Sequence, residues 1–175
     1  MNETECKVVF QTEWFNIEEE YFPVLGDKPY YRMNCDDNVI VLAQTAAGKI
    51  ILIRQFRPAI RKVSIEVPCG AIDPGETPAE AAARELYEET GYRCRKMEQL
   101  GKGKLLMNRM NADEYLFWAP DCVLDETFIA HESIETLLVT PPELKALVLE
   151  GEFEQISTLS LLLLSDWKAN TGFCS

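Results

Sequence analysis

The chain has 175 residues, enough for one domain with a substantial core. Hydrophobic residues make up 47% and charged residues 26%, as in soluble globular proteins. The formal net charge of −12 argues against a nucleic-acid binder, which needs a basic face to displace counterions. It leaves room for a small phosphorylated substrate, because metal ions can supply positive charge locally. Six cysteines, at 6, 35, 69, 94, 122 and 174, form no C-x-x-C pair, and His131 is the lone histidine, so no zinc pattern arises. Unpaired thiols suit a reducing compartment. The first seven residues are charged and lack the apolar stretch of a signal peptide, and the apolar run 159–164 is too short to span a bilayer. The expectation is a cytoplasmic protein without a membrane partner.

In chain order, residues 7–10 read as a strand, followed by an aromatic stretch containing Trp14, Phe15, Tyr21 and Phe22. Core packing is the default for these rings, with a base-stacking platform or a dimer surface as alternatives. Residues 30–33 are placed to pair with this region. Two β-branched runs, 38–44 and 49–55, flank Thr45-Ala46-Ala47-Gly48, a turn signal that predicts a hairpin. A short strand at 64–67 leads to Pro68. Thr77 as N-cap, Pro78 at the first position and Glu80 at the third predict a helix over 78–90, ended by Gly91. Such a cap is worth about 1 kcal/mol. Ala79, Ala82, Ala83 and Leu86 form the side expected to pack on a sheet. Strands follow at 115–119 and 134–139. Thr140-Pro141-Pro142-Glu143 opens a second helix, closed by Gly151, and a third helix covers about 157–168. Strands first, a central helix and helices at the end predict an α+β fold or an α/β/α sandwich.

The central helix carries its carboxylates at the wrong end. Glu85, Glu88 and Glu89 crowd its last two turns, where the helix dipole penalises each by about 0.3–1 kcal/mol. Like charges at i, i+4 add a few tenths. Local rules are broken in this way at functional sites, and hard oxygen ligands suit Mg²⁺ or Mn²⁺. Glu85 and Glu89, one turn apart, are placed to share a cation, with Glu88 beside them. Arg84 lies within i+4 reach of Glu88 and can orient it. The bland alternative is a solvated acidic face.

Residues 70–92 match G-x5-E-x7-R-E-U-x-E-E-x-G-U, with U aliphatic, at Gly70, Glu76, Arg84, Glu85, Leu86, Glu88, Glu89 and Gly91. Only Tyr92 departs, being aromatic. This resembles the signature of the Nudix hydrolases. The resemblance implies one Nudix domain over 1–175, with a mixed central sheet and an N-terminal β region (about 1–36) that dimerises. It implies Mg²⁺, or Mn²⁺, held by Glu85, Glu88, Glu89 and the backbone carbonyl of Cys69. Ile51-Leu52-Ile53-Arg54-Gln55-Phe56-Arg57-Pro58 and Glu66-Val67-Pro68-Cys69-Gly70 are similar to the ADP-ribose pyrophosphatase branch. From that branch follow Arg54, Arg57 and Glu66 as substrate-binding candidates. Arg84, Glu88 and Glu132 follow as catalytic candidates, with Glu126 and Glu135 competing with Glu132 for the role of loop base.

For Arg54 and Arg57 a surface salt bridge, worth little, stands level with substrate contact. Lys102, Lys104 and Arg109 read as solubility charges. One position departs from the branch: residues 105–114 contain no proline where ADP-ribose enzymes usually carry one. The implied reaction is hydrolysis of a nucleoside diphosphate sugar by a homodimer, with ADP-ribose and other sugars both open. The rival readings are a nucleotide-sugar sensor that kept the fold and a nucleotide triphosphate pyrophosphatase.

Overall fold

The structure is a computed structural model that describes residues 6–174. Residues 1–5, on which most of the signal-peptide reading falls, lie outside the described residues. Three strands come first: β1 (Lys7–Gln11), β2 (Phe15–Glu20) and β3 (Tyr30–Cys35), an antiparallel sheet in the order β1-β2-β3. The Thr12 hydroxyl accepts from the Trp14 and Phe15 amides at 3.1 and 3.0 Å, which turns β1 back on β2. The small sheet joins the rest through Met33, whose amide donates to the Arg109 carbonyl at 2.6 Å. The Arg109 guanidinium covers the Tyr30 ring at 4.4 Å.

The larger sheet is built from β4 (Asn38–Thr45), β5 (Ile50–Arg57), β6 (Lys62–Glu66), β7 (Cys69–Ala71), β8 (Tyr92–Arg93), β9 (Glu98–Gly103), β10 (Glu114–Leu124) and β11 (Ile134–Val139). Its order is β11-β5-β4-β10-β8, with β6 beside β5, β7 beside β4 and β9 beside β10. Only β4 and β10 run parallel, so the sheet is mixed. Helices α1 (Pro78–Thr90), α2 (Pro141–Leu149) and α3 (Ile156–Ala169) complete the fold.

The layering follows from β4. It is apolar on both faces, as a strand covered on both sides must be. Val39, Val41 and Ala43 pack with Ala81, Ala82 and Leu86 of α1. Ile40 and Leu42 pack with Leu144 of α2 and Leu161 and Leu162 of α3. Each buried valine, leucine or isoleucine among them contributes roughly 1.5–3 kcal/mol. The expected α/β/α sandwich is thus present, with α1 alone on one face. No helix among the described residues is long and apolar enough to cross a membrane.

Three local differences from the sequence reading have clear causes. The β4–β5 hairpin turns at Gly48 (φ 78°), but its strands pair only at Ala43–Ile51 and Gln44–Ile50. Beyond that, β4 turns to β7 and β5 to β6, which opens the sheet where the site lies. Strand β10 runs on past Pro120 to Leu124, beyond the expected 115–119. A bulge at residues 120–121, with Asp121 at φ 52°, carries the proline outside the ladder. Finally, the buried stripe of α1 is Ala81, Ala82, Leu86 and Thr90, while Ala79 and Ala83 are exposed. A run of alanines does not define a face by itself. Leu86 and Thr90 set it, and the Thr90 hydroxyl donates to the Leu86 carbonyl.

Candidate active site

The capping box predicted at Thr77 is present. Its hydroxyl accepts from the Glu80 amide at 3.3 Å, and the Glu80 carboxylate accepts from the Thr77 amide at 2.8 Å. At the far end Gly91 adopts φ 74°, and a Cβ there would fall on the Phe128 ring. Between these caps the glutamates separate by face. Glu85 and Glu89 border the buried stripe, half-buried, and Glu88 is exposed.

The short strand β7 supplies the opposite wall. It runs beside β4, with Ile40 opposite Cys69 and Val39 opposite Gly70. A Cβ at Gly70 would occupy the space of the Glu85 carboxylate, so glycine here is a matter of room. At Gly75 it is a matter of backbone, with φ 88° and open space around it. The Cys69 amide donates to Glu89 Oε2 at 2.9 Å. Burial pushes the Glu89 carboxyl up to about 8 against that hydrogen bond, and the neighbouring Glu85 charge adds to the rise. Glu85 is also raised, by burial, despite Arg84.

Arg84 ties the site together. It donates to Glu76 from Nε at 3.0 Å and from Nη2 at 2.9 Å. Nη1 reaches Glu85 at 2.6 Å and Glu88 at 3.3 Å, and Nη2 also reaches the Ala71 carbonyl at 2.8 Å. The expected Arg84–Glu88 contact is therefore one of five hydrogen bonds, beside a longer ion pair with Asp73 at 3.8 Å. The guanidinium fork suits this task because its donors are fixed in one plane.

Arg57 of β5 and Glu66 of β6 meet through their side chains, although the ladder sets Arg57 opposite Lys62 and Glu66 opposite Ile53. Arg57 donates to both Glu66 oxygens, at 2.8 and 2.5 Å, and to Cys69 Sγ at 3.5 Å. Burial opposes ionisation of Glu66, but the Arg57 hydrogen bonds prevail and hold its carboxyl below the usual range. The Cys69 thiol is pushed well up by burial, with Glu89 and Glu66 adding to it, so it stays protonated. Arg54 stands apart on β5, opposite Glu135 of β11, and pairs with it at 3.4 Å on the surface. That pairing occupies one of the three loop-base candidates. Glu126 and Glu132 are exposed on the segment between β10 and β11. Phe128 anchors this segment against Gly91 and stacks edgewise on Tyr87 at 5.4 Å. It is thereby fixed at the carboxylate-bearing end of α1.

One contributor lacks any sequence signal. Gln155, at the N-cap of α3, accepts from the Val67 amide at 3.0 Å and donates to Cys69 Sγ at 3.5 Å. It thus docks α3 onto the strand that faces Glu85 and Glu89. Its partners lie more than eighty residues away, beyond any local pattern.

No three carboxylates among the described residues converge into a closed metal cage. Mg²⁺ does not require one, since it commonly keeps several waters and takes one or two carboxylates plus substrate phosphates. Glu85 and Glu89 fit that pattern. Both are carboxylates raised by burial, with the Glu88 charge adding at Glu85 and the Glu85 charge adding at Glu89, the condition a divalent cation would relieve.

This fold and this helix define a recognisable class. A family model described as NUDIX domain matches residues 36–161, and the chain belongs to the Nudix hydrolase family. Among curated relatives, the ADP-ribose pyrophosphatase of Bacillus subtilis (strain 168) is 45% identical over 62 residues, 35% of this chain and 34% of that protein. The putative nudix hydrolase 2 of Caenorhabditis elegans is 36% identical over 142 residues, 73% of this chain and 62% of its own length. The GDP-mannose pyrophosphatase of Yersinia pestis (strain Pestoides F) is 28% identical over 177 residues, 90% of this chain and 87% of that protein. The match thus spans only about a third of the Bacillus protein's length. The crystal structure of an ADP compounds hydrolase superposes with a TM-score of 0.81, at 21% identity, covering 99% of this chain and 98% of that one. At that identity the likeness shows the shared fold.

Proposed function

We propose that this chain hydrolyses the diphosphate bond of a nucleoside diphosphate sugar of the ADP-ribose type, giving a nucleoside monophosphate and a sugar phosphate. The observation that carries this reading is the Glu85–Glu89 pair, packed on Gly70 and the Cys69 amide within a Nudix pattern met at every position but Tyr92. The relatives named as ADP-ribose and GDP-mannose pyrophosphatases support the substrate class.

Glu85, Glu89 and the Cys69 carbonyl would hold Mg²⁺, or Mn²⁺ in its place, with Glu88 reaching it through water. When bound, the cation neutralises the diphosphate and acidifies a bound water. Arg84 acts on the ligands rather than on substrate, keeping Glu85 turned toward Gly70 and fixing the 71–76 loop to α1. Glu132 takes the proton from the attacking water, presented by the segment that Phe128 pins to the end of α1. Arg57 and Glu66 shape the pocket edge as a pair, and Arg54 meets substrate only by leaving Glu135.

The proposal extends to a cytoplasmic homodimer. The free thiols suit a reducing compartment. The N-terminal sheet exposes Phe10 at 56% and Trp14 at 77%, apolar surface that a second copy would cover. The deciding experiment is a screen of nucleoside diphosphate sugars with Mg²⁺ and with Mn²⁺, reading release of phosphate monoester. Thermal stabilisation by these compounds without any release would favour a sensor instead.

A further inference from the structure

Cys94 and Cys122 come together at the β8 edge of the large sheet, beside the C-terminal end of α1. In the antiparallel β8–β10 ladder Leu124 lies opposite Tyr92 and Val123 opposite Arg93. One step further, the same register sets Cys122 opposite Cys94. On the other side of the ladder the Asp125 amide donates to the Gly91 carbonyl at 2.9 Å, which makes Asp125–Gly91 a hydrogen-bonded pair. Bonded and open pairs alternate along an antiparallel ladder. Leu124–Tyr92 and Cys122–Cys94 are therefore open pairs, with Val123–Arg93 bonded between them. An open pair brings its Cα atoms to about 4.5 Å, with both side chains on one face. That separation falls within the range a disulfide bridges, about 4.4–6.8 Å. The side chains do share a face: Cys122 is buried in the cluster under α1, and Cys94 packs against that cluster.

The two thiols differ as an attacking and a resolving thiol must. Cys94 is half-buried, whereas Cys122 is 3% exposed. Two acceptors face the Cys122 thiol, the Ala119 carbonyl at 3.1 Å and the Cys94 sulfur. Hydrogen bonding from Cys122 pulls the Cys94 thiol down to about 7, against its burial. The same bond, with burial adding to it, pushes Cys122 up. Cys94 thus ionises near neutral pH while Cys122 keeps its proton. Burial raises the thiols of Cys35, Cys69 and Cys174 instead. The thiolate is the reactive form, and oxidant-sensitive cysteines are low in pKa, reachable and set beside a second thiol.

We propose that Cys94 and Cys122 are an oxidant-sensing pair, which closes a reversible disulfide between β8 and β10 when the protein meets a peroxide. The Cys94 sulfur attacks one peroxide oxygen and the O–O bond breaks. The leaving hydroxide takes up the proton that Cys94 gave off and departs as water, and Cys94 is left as a sulfenic acid. The Cys122 sulfur then attacks the Cys94 sulfur, the S–O bond breaks, and hydroxide leaves with the Cys122 proton as a second water. The pair loses two electrons and two protons, and the peroxide is reduced to two waters. A dithiol reductant reverses the link by exchange, so in a reducing compartment it is transient. The link lies three residues before Asp125, the root of the segment that carries Glu126 and Glu132. Asp125 accepts from Tyr87 at 3.4 Å and from Arg93 at 3.5 Å, and its amide holds Gly91. Oxidation clamps this root to the end of α1.

The test treats reduced wild type, Cys94→Ser and Cys122→Ala with hydrogen peroxide, with melting curves to check that each is folded. Wild type is expected to lose two hydrogens by intact mass. Digestion without reductant should then give a peptide joining Cys94 to Cys122, which dithiothreitol releases. Both variants should lack it. Cys122→Ala should instead keep a Cys94 sulfenic acid that dimedone traps, and Cys94→Ser should show none at Cys122. The wild-type peptide decides the link even where Cys122→Ala, changed at a buried position, melts early. Amide exchange over residues 123–128 should slow at least about threefold in the oxidised protein. Oxidation confined to Cys6 or Cys174, or a disulfide joining other thiols, would overturn the proposal. A Cys94–Cys122 link with unchanged exchange would overturn the clamp.

Discussion

Arg84 and Glu76 meet fork to fork, Nε to Oε1 at 3.0 Å and Nη2 to Oε2 at 2.9 Å, closing the 71–76 loop onto the first half of α1. The same guanidinium then reaches Glu85 and Glu88. The loop that shapes one wall and the carboxylates on the other are thus set by a single side chain. Lysine keeps the charge but offers one point donor in place of the planar fork. Arg84→Lys is therefore expected to lower kcat by roughly 10- to 100-fold, the usual cost of losing a group that orients metal ligands. KM for substrate should move far less. Steady-state kinetics at saturating Mg²⁺ check this, and a variant within threefold of wild type would show that the fork is dispensable.

Glu89 holds its charge against strong electrostatic strain. Its folded-state pKa stands at about 8 against an ordinary value of 4.5, because burial disfavours its charge. Between those values the folded protein binds more protons than the unfolded chain. In EDTA, this group's contribution to stability is therefore full below about pH 4.5 and is lost as pH rises toward 8. Cation binding needs the proton removed, so stabilisation by Mg²⁺ should grow over the same interval. Melting curves at pH 5.5, 7 and 8.5, with and without Mg²⁺, test both trends. Glu89→Gln should flatten them and reduce turnover by at least about a hundredfold. A Mg²⁺ shift equal at all three pH values would remove Glu89 from the cation site.

Much of this was legible in the sequence because the signals are local. The α1 cap, Gly91 and the spacing of Glu85, Glu88 and Glu89 all fall within fifteen residues of one another. β11 and α1 match their expected ranges for the same reason. The strands that went unread are β7, β8 and β9: two or three residues long in the first two cases, and in β9 a polar run, Glu98–Gly103, held by pairing with β10 rather than by its own pattern. The mutual engagement of Arg57 and Glu66 and the docking of Gln155 are tertiary facts. Each depends on where β5, β6 and α3 arrive, which no window of sequence contains.

Glu132 and Glu126 share the segment pinned by Phe128, and Glu135 is committed to Arg54. If Glu132 handles the attacking water, Glu132→Gln should lower kcat by about 10²–10⁴-fold with KM nearly unchanged. Glu126→Gln should stay close to wild type. An effect of Glu132→Gln confined to KM would transfer the role to Glu126.

Two glycines separate room from backbone. Gly70 has an ordinary φ, but a Cβ there lands on the Glu85 carboxylate, the free end of a flexible side chain. Gly70→Ala can be accommodated by swinging Glu85 aside, so the fold should survive while the ligand is displaced. Melting is expected to stay near wild type and turnover to fall by one to two orders of magnitude, roughly as for loss of a ligand-orienting contact. Gly48, in the β4–β5 turn, has φ 78° and open space around it. Gly48→Ala meets no neighbour but must hold a left-handed backbone, which costs about 1–2 kcal/mol. In a chain of this size that lowers the melting midpoint by roughly 2–8 °C, with catalysis unaffected. The two variants should therefore fail in opposite assays. A Gly70→Ala protein that keeps full turnover would mean that the position of Glu85 against β7 does not matter to the reaction.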